Sequence, residues 1–559
     1  MIISVAIATI LQNDPRWAKE EGALSPLVFN PDRFMSVEGG KAGEQVPFGV
    51  GTRNCLGMPL ALAEMKRHAR CCSAQVETSS SSNNNEPIKC PMLSALRELP
   101  PGKVSAWESL SFAFESPTAF QEQALGGLPL AQGTYLAMPA VYIGDLGLAK
   151  DVVAGDGDFT QVGYPESTVT LLGRNSITMT ADVERHRYLR RLMTPGMASE
   201  EMDAALPRLA LRAERLFEGW ALEGDAGRTV SALHGFKSFT FGIIMSIVFG
   251  EELPLPAAKT AELEEDFRIL VQGLFIPPQL VINMWPFQYH RSMQARTKLL
   301  KFITSQITHT RGQLSTMPGN NGGSARQAGS RFGSLHGILL ARDEAGGGLT
   351  DSEVADNVVT LLFAGHDTTS SSLTSALHQI SMNPLVMGKM RAEQKEIVST
   401  YGPSFTPEVM RRMQYTDAVT RETLRYRPII ANILRQAIKP FGLNQSLVQD
   451  GRVLLVALSN ILLKDSRWAG HKGQLSPDSF NPDRFTSFEG SKAGDQVPFG
   501  IGSRNCLGMP LALAEMKIVL AVLARKYCYT ADCNTDYKEF PIPEPRNGLP
   551  VYVTRLQEN

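Results

Sequence analysis

An apolar run of some thirty residues begins at Thr350 and stops at Asn383-Pro384. Thr350 stands three residues before Glu353, the spacing of a capping box, so the run predicts one long helix. Its centre breaks the pattern. Ala364-Gly365-His366-Asp367-Thr368-Thr369 gathers weak helix formers, and a glycine inside a helix costs about 1 kcal/mol. Neighbouring threonines can bond back to carbonyls and bend the helix, so a local distortion facing a ligand is expected here. A second helix is predicted from Met509-Pro510, because proline suits a first helical turn. IVLAVLARKYC at 518–528 reads as its amphipathic continuation, with one face to bury. RVLLVALSNIL at 452–462 follows the turn signal Asp450-Gly451 and reads as a strand leading into a helix.

The opening MIISVAIATIL looks like a targeting signal at first. It lacks a charged start and a small-residue cleavage site, and it falls far short of the ~20 residues of a membrane span. A repeat explains it better. With Cys55 set on Cys506, residues 1–66 match 452–517 at 44 of 66 positions, so the opening is a copied strand. The first copy stops within its helix and passes into RHARCCSAQVETSSSSNNNEPIKC, a polar stretch that cannot bury a core. Three segments follow from this: a partial duplicate at 1–66, a low-complexity linker at 67–98, and a main domain at 99–559. GNNGGSARQAGSRFGS at 319–334 reads as a surface loop between helices.

Composition narrows the function. The 559 residues are 43% hydrophobic and 20% charged, as in an ordinary globular protein. A net charge of −1 gives no basic footprint for nucleic acid. Seven cysteines spread over the chain argue against a disulfide framework and for a reducing, intracellular compartment. No CxxC zinc pair and no phosphate-binding GxxxxGK[ST] loop is present.

The chemistry concentrates around Cys506. Gly500, Gly502 and Gly508 permit tight turns and close backbone approach. The cysteine then stands just before a helix N-terminus, where free N–H groups and the dipole favour a thiolate. Such a sulfur, with Arg504 two residues away, suits an axial iron ligand. The whole pattern F-G-x-G-x-R-x-C-x-G, Phe499 to Gly508, resembles the haem-binding loop of the cytochrome P450 family.

Other parts appear in the family's order. Ala364-Gly365-His366-Asp367-Thr368-Thr369 resembles its oxygen-binding groove, in which Asp367 and Thr368 would guide protons to dioxygen. Glu422 and Arg425 match its ExxR helix, and Arg484, in Asn481-Pro482-Asp483-Arg484-Phe485, would complete a structural Glu-Arg-Arg lock. The resemblance assigns Arg504, Arg435, His186 and Arg190 to the haem propionates, with His186 standing where the family carries tryptophan. Residues 264–296 and the closing NGLPVYV are similar to the retinoid- and sterol-hydroxylating branch.

The resemblance implies a mainly α fold with small β-sheets and a single large haem domain. It implies haem b (iron protoporphyrin IX) held by Cys506, and NADPH acting through cytochrome P450 reductase or a ferredoxin. It further implies mono-oxygenation of a lipophilic sterol, retinoid, terpenoid or fatty acid, and a peripheral contact with the endoplasmic reticulum membrane. Cys506 is expected to be the ligand rather than Cys55, which has no groove or ExxR helix ahead of it. Two other readings stay open on the sequence: a non-catalytic haem-binding protein or inactive fusion product, and a hydroperoxide-rearranging enzyme of the same fold. The second usually lacks the groove threonine, which this chain retains at Thr368.

Overall fold

A computed structural model of the chain describes residues 98–102, 116–135, 138–194, 199–250, 255–276, 287–316, 334–342, 346–469, 475–486 and 497–557. All belong to Cys90–Asn559, the second of two units into which the chain divides. The duplicate at 1–66, the polar stretch up to residue 97, the loop at 319–333 and the apolar segment at 277–286 lie outside the described residues.

Helices make up most of what is described, with small sheets at the margin, as expected. A five-stranded sheet contains β1 (Leu130–Tyr135), β2 (Met138–Ile143), β3 (Thr160–Val162), β4 (Asn432–Ala437) and β5 (Val453–Ala457). Its order is β1-β2-β5-β4-β3. Only the β2–β5 pair is parallel, with Ala140 opposite Val453. The predicted strand at 452–462 is therefore β5, and it runs directly into the helix Leu458–Lys464. Every residue of β5 is buried, which suits a continuous apolar run in a covered central strand. A three-stranded sheet pairs Pro550–Arg555 with Tyr527–Ala531 and Val230–Ser231.

Ten helices carry the argument. They are α1 (Leu146–Ala154), α2 (Glu166–Leu172), α3 (Val183–Met193), α4 (Ser199–Asp225) and α5 (Ala232–Phe249). The remainder are α6 (Ala257–Val271), α7 (Gln288–Thr316), α8 (Asp351–Met382), α9 (Gln414–Tyr426) and α10 (Met509–Lys526).

Helix α8 is the long helix foreseen. Thr350 caps it, with the Thr350 hydroxyl accepting from the Glu353 N–H and the Glu353 carboxylate accepting from the Thr350 N–H. It is α-helical from Asp351 to Met382, through the weak helix formers at its centre. The back-bond does form: Thr368 Oγ1 donates to Ala364 O at 2.6 Å.

Two expectations need correcting. Helix α10 ends at Lys526, and Tyr527 and Cys528 begin a strand. It is also not amphipathic along 518–524, since Ile518 to Ala524 are all buried. A helix enclosed on every side has no polar face to show.

Helix α5 is long and apolar enough to cross a membrane. Here it is a core helix, with Phe236, Phe239, Phe241 and Ile243 buried. Gly365 of α8 explains the close fit, because a Cβ there would stand 2.9 Å from Ile244 Cδ1. Beyond α5, Phe217, Trp220 and Phe236 meet edge to face, with centroids 5.1–6.5 Å apart. Such pairs add about 0.5–1.5 kcal/mol beyond the area they bury.

Candidate active site

Burial along α8 isolates a few of its residues. Val354 to Leu362 and Thr369 to Ile380 are all buried, whereas Ala364 is exposed and Phe363, Gly365 and Thr368 are half-buried. One short face at the middle of an otherwise enclosed helix is thus open, and it presents Ala364 and the Thr368 hydroxyl. Gly365 serves the opposite purpose from a groove lining, since its missing side chain admits Ile244.

Asp367 points away from that open face. Its carboxylate lies 3.2 Å from Lys237 Nζ of α5, and Lys237 reaches Glu544 at 2.6 Å. Burial works to raise the Asp367 pKa, but His366 and Lys237 outweigh it and hold the carboxyl below its ordinary range. His366 lies edge-on between Phe241 and Phe267, with centroids 5.6 and 5.4 Å away. Its Nδ1 is 3.3 Å from Asp367 Oδ1 without hydrogen-bond alignment.

Cys506 stands between the 3₁₀ turn Gly502–Arg504 and the start of α10. Its N–H donates to Phe499 O at 2.8 Å, which closes the loop. Gly502 has φ +75°, and a Cβ there would sit 2.7 Å from Val153 Cγ1, so the loop lies directly on α1. A Cβ on Gly508 would stand 4.0 Å from the sulfur. Burial pushes the thiol pKa up, while the backbone N–H groups of Gly508 and Met509 and the charge of Arg190 act against it. Cys506 is nevertheless exposed.

The structure brings Glu422, Arg425 and Arg484 together. Glu422 and Arg425 of α9 pair at 2.7 Å with both side chains fully buried. Arg484 Nε lies 3.3 Å from the same carboxylate. Arg425 also donates to the carbonyls of Leu462, Pro477 and Ser479, and Arg484 to those of Ser476 and Ser479. Such a pair is sound only when every donor is satisfied. These carbonyls meet most of that demand, leaving Arg484 Nη1 without a partner.

The cationic residues gather around Arg504 of the cysteine loop. Arg504 Nη1 donates to Thr180 O at 2.9 Å and its Nε to Asp156. Arg435 Nη1 donates to Leu434 O at 2.9 Å. Arg504 Nη2 and Arg435 Nε are buried without partners. His186 is buried nearby. Desolvation first, then Arg504 and Arg190, lower its pKa to about 4, leaving it neutral at ordinary pH. Arg190 donates from both terminal nitrogens to Asn505 at 2.7 Å. It braces the residue before the cysteine.

The sequence reading missed Glu515 and Asp156. Glu515 of α10 is buried, and burial raises its carboxyl well above the ordinary range while a hydrogen bond with Thr369 of α8 acts the other way. Its Oε2 has no partner, in keeping with a neutral acid. Neither residue stood out in sequence, although the glycines on both sides of Asp156 were a signal.

The family model described as Cytochrome P450 matches residues 3–71 and 133–545. The chain belongs to the cytochrome P450 family. The first matched piece falls on the duplicate and the second on the main domain. Among relatives, abscisic acid 8'-hydroxylase 1 of Oryza sativa subsp. japonica is 26% identical over 467 residues, covering 82% of this chain and 91% of that protein. Beta-amyrin 11-oxidase of Glycyrrhiza uralensis is 29% identical over 449 residues, covering 77% and 85%. Ent-kaurenoic acid oxidase 2 of Arabidopsis thaliana is 26% identical over 442 residues, covering 77% and 85%. Retinoic acid bound cyanobacterial CYP120A1 shares the fold, with a TM-score of 0.71 at 23% identity, covering 82% of this chain and all of that one.

This P450 is a haem-dependent monooxygenase that acts on a lipophilic substrate with electrons from a redox partner. The residues present fit haem. An open thiol, two buried guanidinium groups with unpartnered N–H donors and one open patch on a covered helix are what a porphyrin with two carboxylates requires.

Proposed function

We propose that Cys506 is the iron ligand of this P450, and that Arg435, Arg504 and His186 hold the propionates. The observation that carries this reading is the pair of buried, unpartnered donors, Arg435 Nε and Arg504 Nη2, beside the cysteine loop. When bound, haem supplies dioxygen activation and the transfer of one oxygen atom to the substrate. The chain's own residues do the rest. Gly508 and Met509 aim N–H groups at the sulfur and stabilise its anionic form. Arg190 fixes the loop through Asn505. Phe499 supports it through the carbonyl that takes the Cys506 N–H.

Thr368 holds its proton towards Ala364 O and presents its hydroxyl on the open face. Asp367 is the nearest acid in the helix. Its link to Lys237 and Glu544 connects it to the half-buried rim of the protein. A proton entering there reaches Thr368 once the Lys237 contact loosens. Glu422, Arg425 and Arg484 position the cysteine loop and take no part in turnover.

The substrate is an isoprenoid-derived lipid. Abscisic acid, beta-amyrin and ent-kaurenoic acid, named for three relatives, support this class. Cytochrome P450 reductase or a ferredoxin delivers the electrons, and contact with the endoplasmic reticulum membrane is peripheral. Residues 99–559 form the catalytic domain by themselves, with 1–66 a partial duplicate and 67–98 a linker, so Cys55 is not a ligand.

The deciding experiment is Cys506→Ser. The reduced carbon-monoxide difference band of a thiolate haem should be present in the wild type and lost in the variant. An unchanged spectrum would sink the assignment. Product formation with a reductase and NADPH then distinguishes the enzyme from a haem-binding protein without turnover.

A further inference from the structure

Asp156 is a buried carboxylate paired with Arg504 of the cysteine loop. It is presented by the turn Gly155-Asp156-Gly157, between α1 and β3. Gly157 has φ +85°, a region that favours glycine, and a Cβ there would strike Val183 Cγ2 at 2.6 Å. A Cβ on Gly155 would meet the Phe159 ring at 2.2 Å. The turn is closed by Gly157 N–H donating to Thr160 O at 2.8 Å. The Asp156 side chain is 4% exposed and ion-paired to Arg504, itself 7% exposed. Its Oδ1 has no hydrogen-bond partner.

Five groups share this space electrostatically: His186 feels Arg504, Arg190, Asp156 and Arg435 together. With His186 neutral, three guanidinium groups and one carboxylate leave two positive charges. Haem carries two propionates. Without Asp156 the cradle would hold one positive charge too many, in a medium where a fixed charge acts over many ångströms.

We propose that Asp156 trims the cradle to match the two haem carboxylates and so sets the reduction potential of the iron. The proposal rests on the haem-thiolate reading above. Asp156 touches neither substrate nor iron and acts through Arg504, so it is a positioning and tuning residue. The step it governs is the one-electron reduction of the iron by the external redox partner. An uncompensated positive charge nearby favours the added electron.

The test is a spectroelectrochemical titration of the full-length haem protein and of D156N, R435Q and D156N/R435Q. Asparagine keeps an oxygen for Arg504 Nε and removes only the charge. D156N should shift the midpoint to more positive potential, raising the ferrous-to-ferric ratio at a fixed applied potential roughly fivefold or more. R435Q should shift it to more negative potential, and the double variant should return to the wild-type value. A D156N protein that retains haem at the wild-type potential overturns the proposal and leaves Asp156 as a clamp on Arg504. Should D156N fail to retain haem, the double variant decides. Haem at the wild-type potential supports charge matching, while loss of haem from the double variant but not from R435Q refutes it. A wild-type protein without a thiolate haem spectrum would instead overturn the site reading itself.

Discussion

On the proposed reading, Thr368 is the residue on which turnover most depends after the cysteine. Its hydroxyl is half-open on α8 and already donates to Ala364 O. Positioned proton transfer contributes roughly 10²–10⁴-fold. Thr368→Ala should therefore cut product formed per NADPH consumed by about tenfold or more, with the thiolate spectrum kept. Stoichiometry of product against NADPH checks this.

A second residue-scale prediction concerns His378, far along the same helix. It stacks on Tyr537 with centroids 5.5 Å apart and faces Arg427, Asp532 and the Cys533 carbonyl. Desolvation lowers its pKa, the Cys533 carbonyl works against this, and Arg427 assists it. The folded state thus refuses a proton that the unfolded state accepts near pH 6.5. Its contribution is whole above that pH and is lost as pH falls through it. Melting curves between neutral and mildly acidic pH should show a smaller loss for His378→Phe than for the wild type. An equal loss would assign the acid sensitivity elsewhere.

At the scale of elements, the buried lock is the point where helix, turn and loop are joined. Glu422 of α9 accepts from the Asn481 N–H at 2.7 Å as well as from both arginines. Removing one partner leaves a charge buried without compensation, which costs about 3–5 kcal/mol. That is a large part of a domain's total stability. Glu422→Gln should lower the unfolding free energy by that order and reduce haem content, with the KM of whatever enzyme remains unchanged.

Element boundaries also show what was legible. The capping box of α8, the β5-to-helix transition and the cysteine loop rest on local chemistry, so each could be read from a few letters. The all-round burial of α10 and the role of Gly365 depend on neighbours distant in the chain, and local pattern does not contain them. Asp156 and Glu515 were illegible for the same reason. Each is an ordinary carboxylate until the fold places arginines, or a threonine, against it.

At the scale of the whole molecule, the two cysteine loops are nearly one sequence, yet only the second follows the helices that build the site. A chain lacking 1–98 should fold with the same thiolate spectrum and turnover as the full-length protein, and Cys55→Ser should change neither. Haem content per polypeptide decides the matter: a value near two for the full chain would show that the first loop also binds.

Thr369 and Glu515 bolt α8 to α10, the helix that begins beside the sulfur. That contact joins the helix of Thr368 to the helix that starts after Cys506, in a buried interior. Spreading those two helices apart to admit a bulkier molecule would break this contact. Engineering or evolution of a wider diet in this enzyme has to work sideways, through α2 and the end of α6. There the Ser167 and Thr168 hydroxyls fasten onto the Leu274 carbonyl.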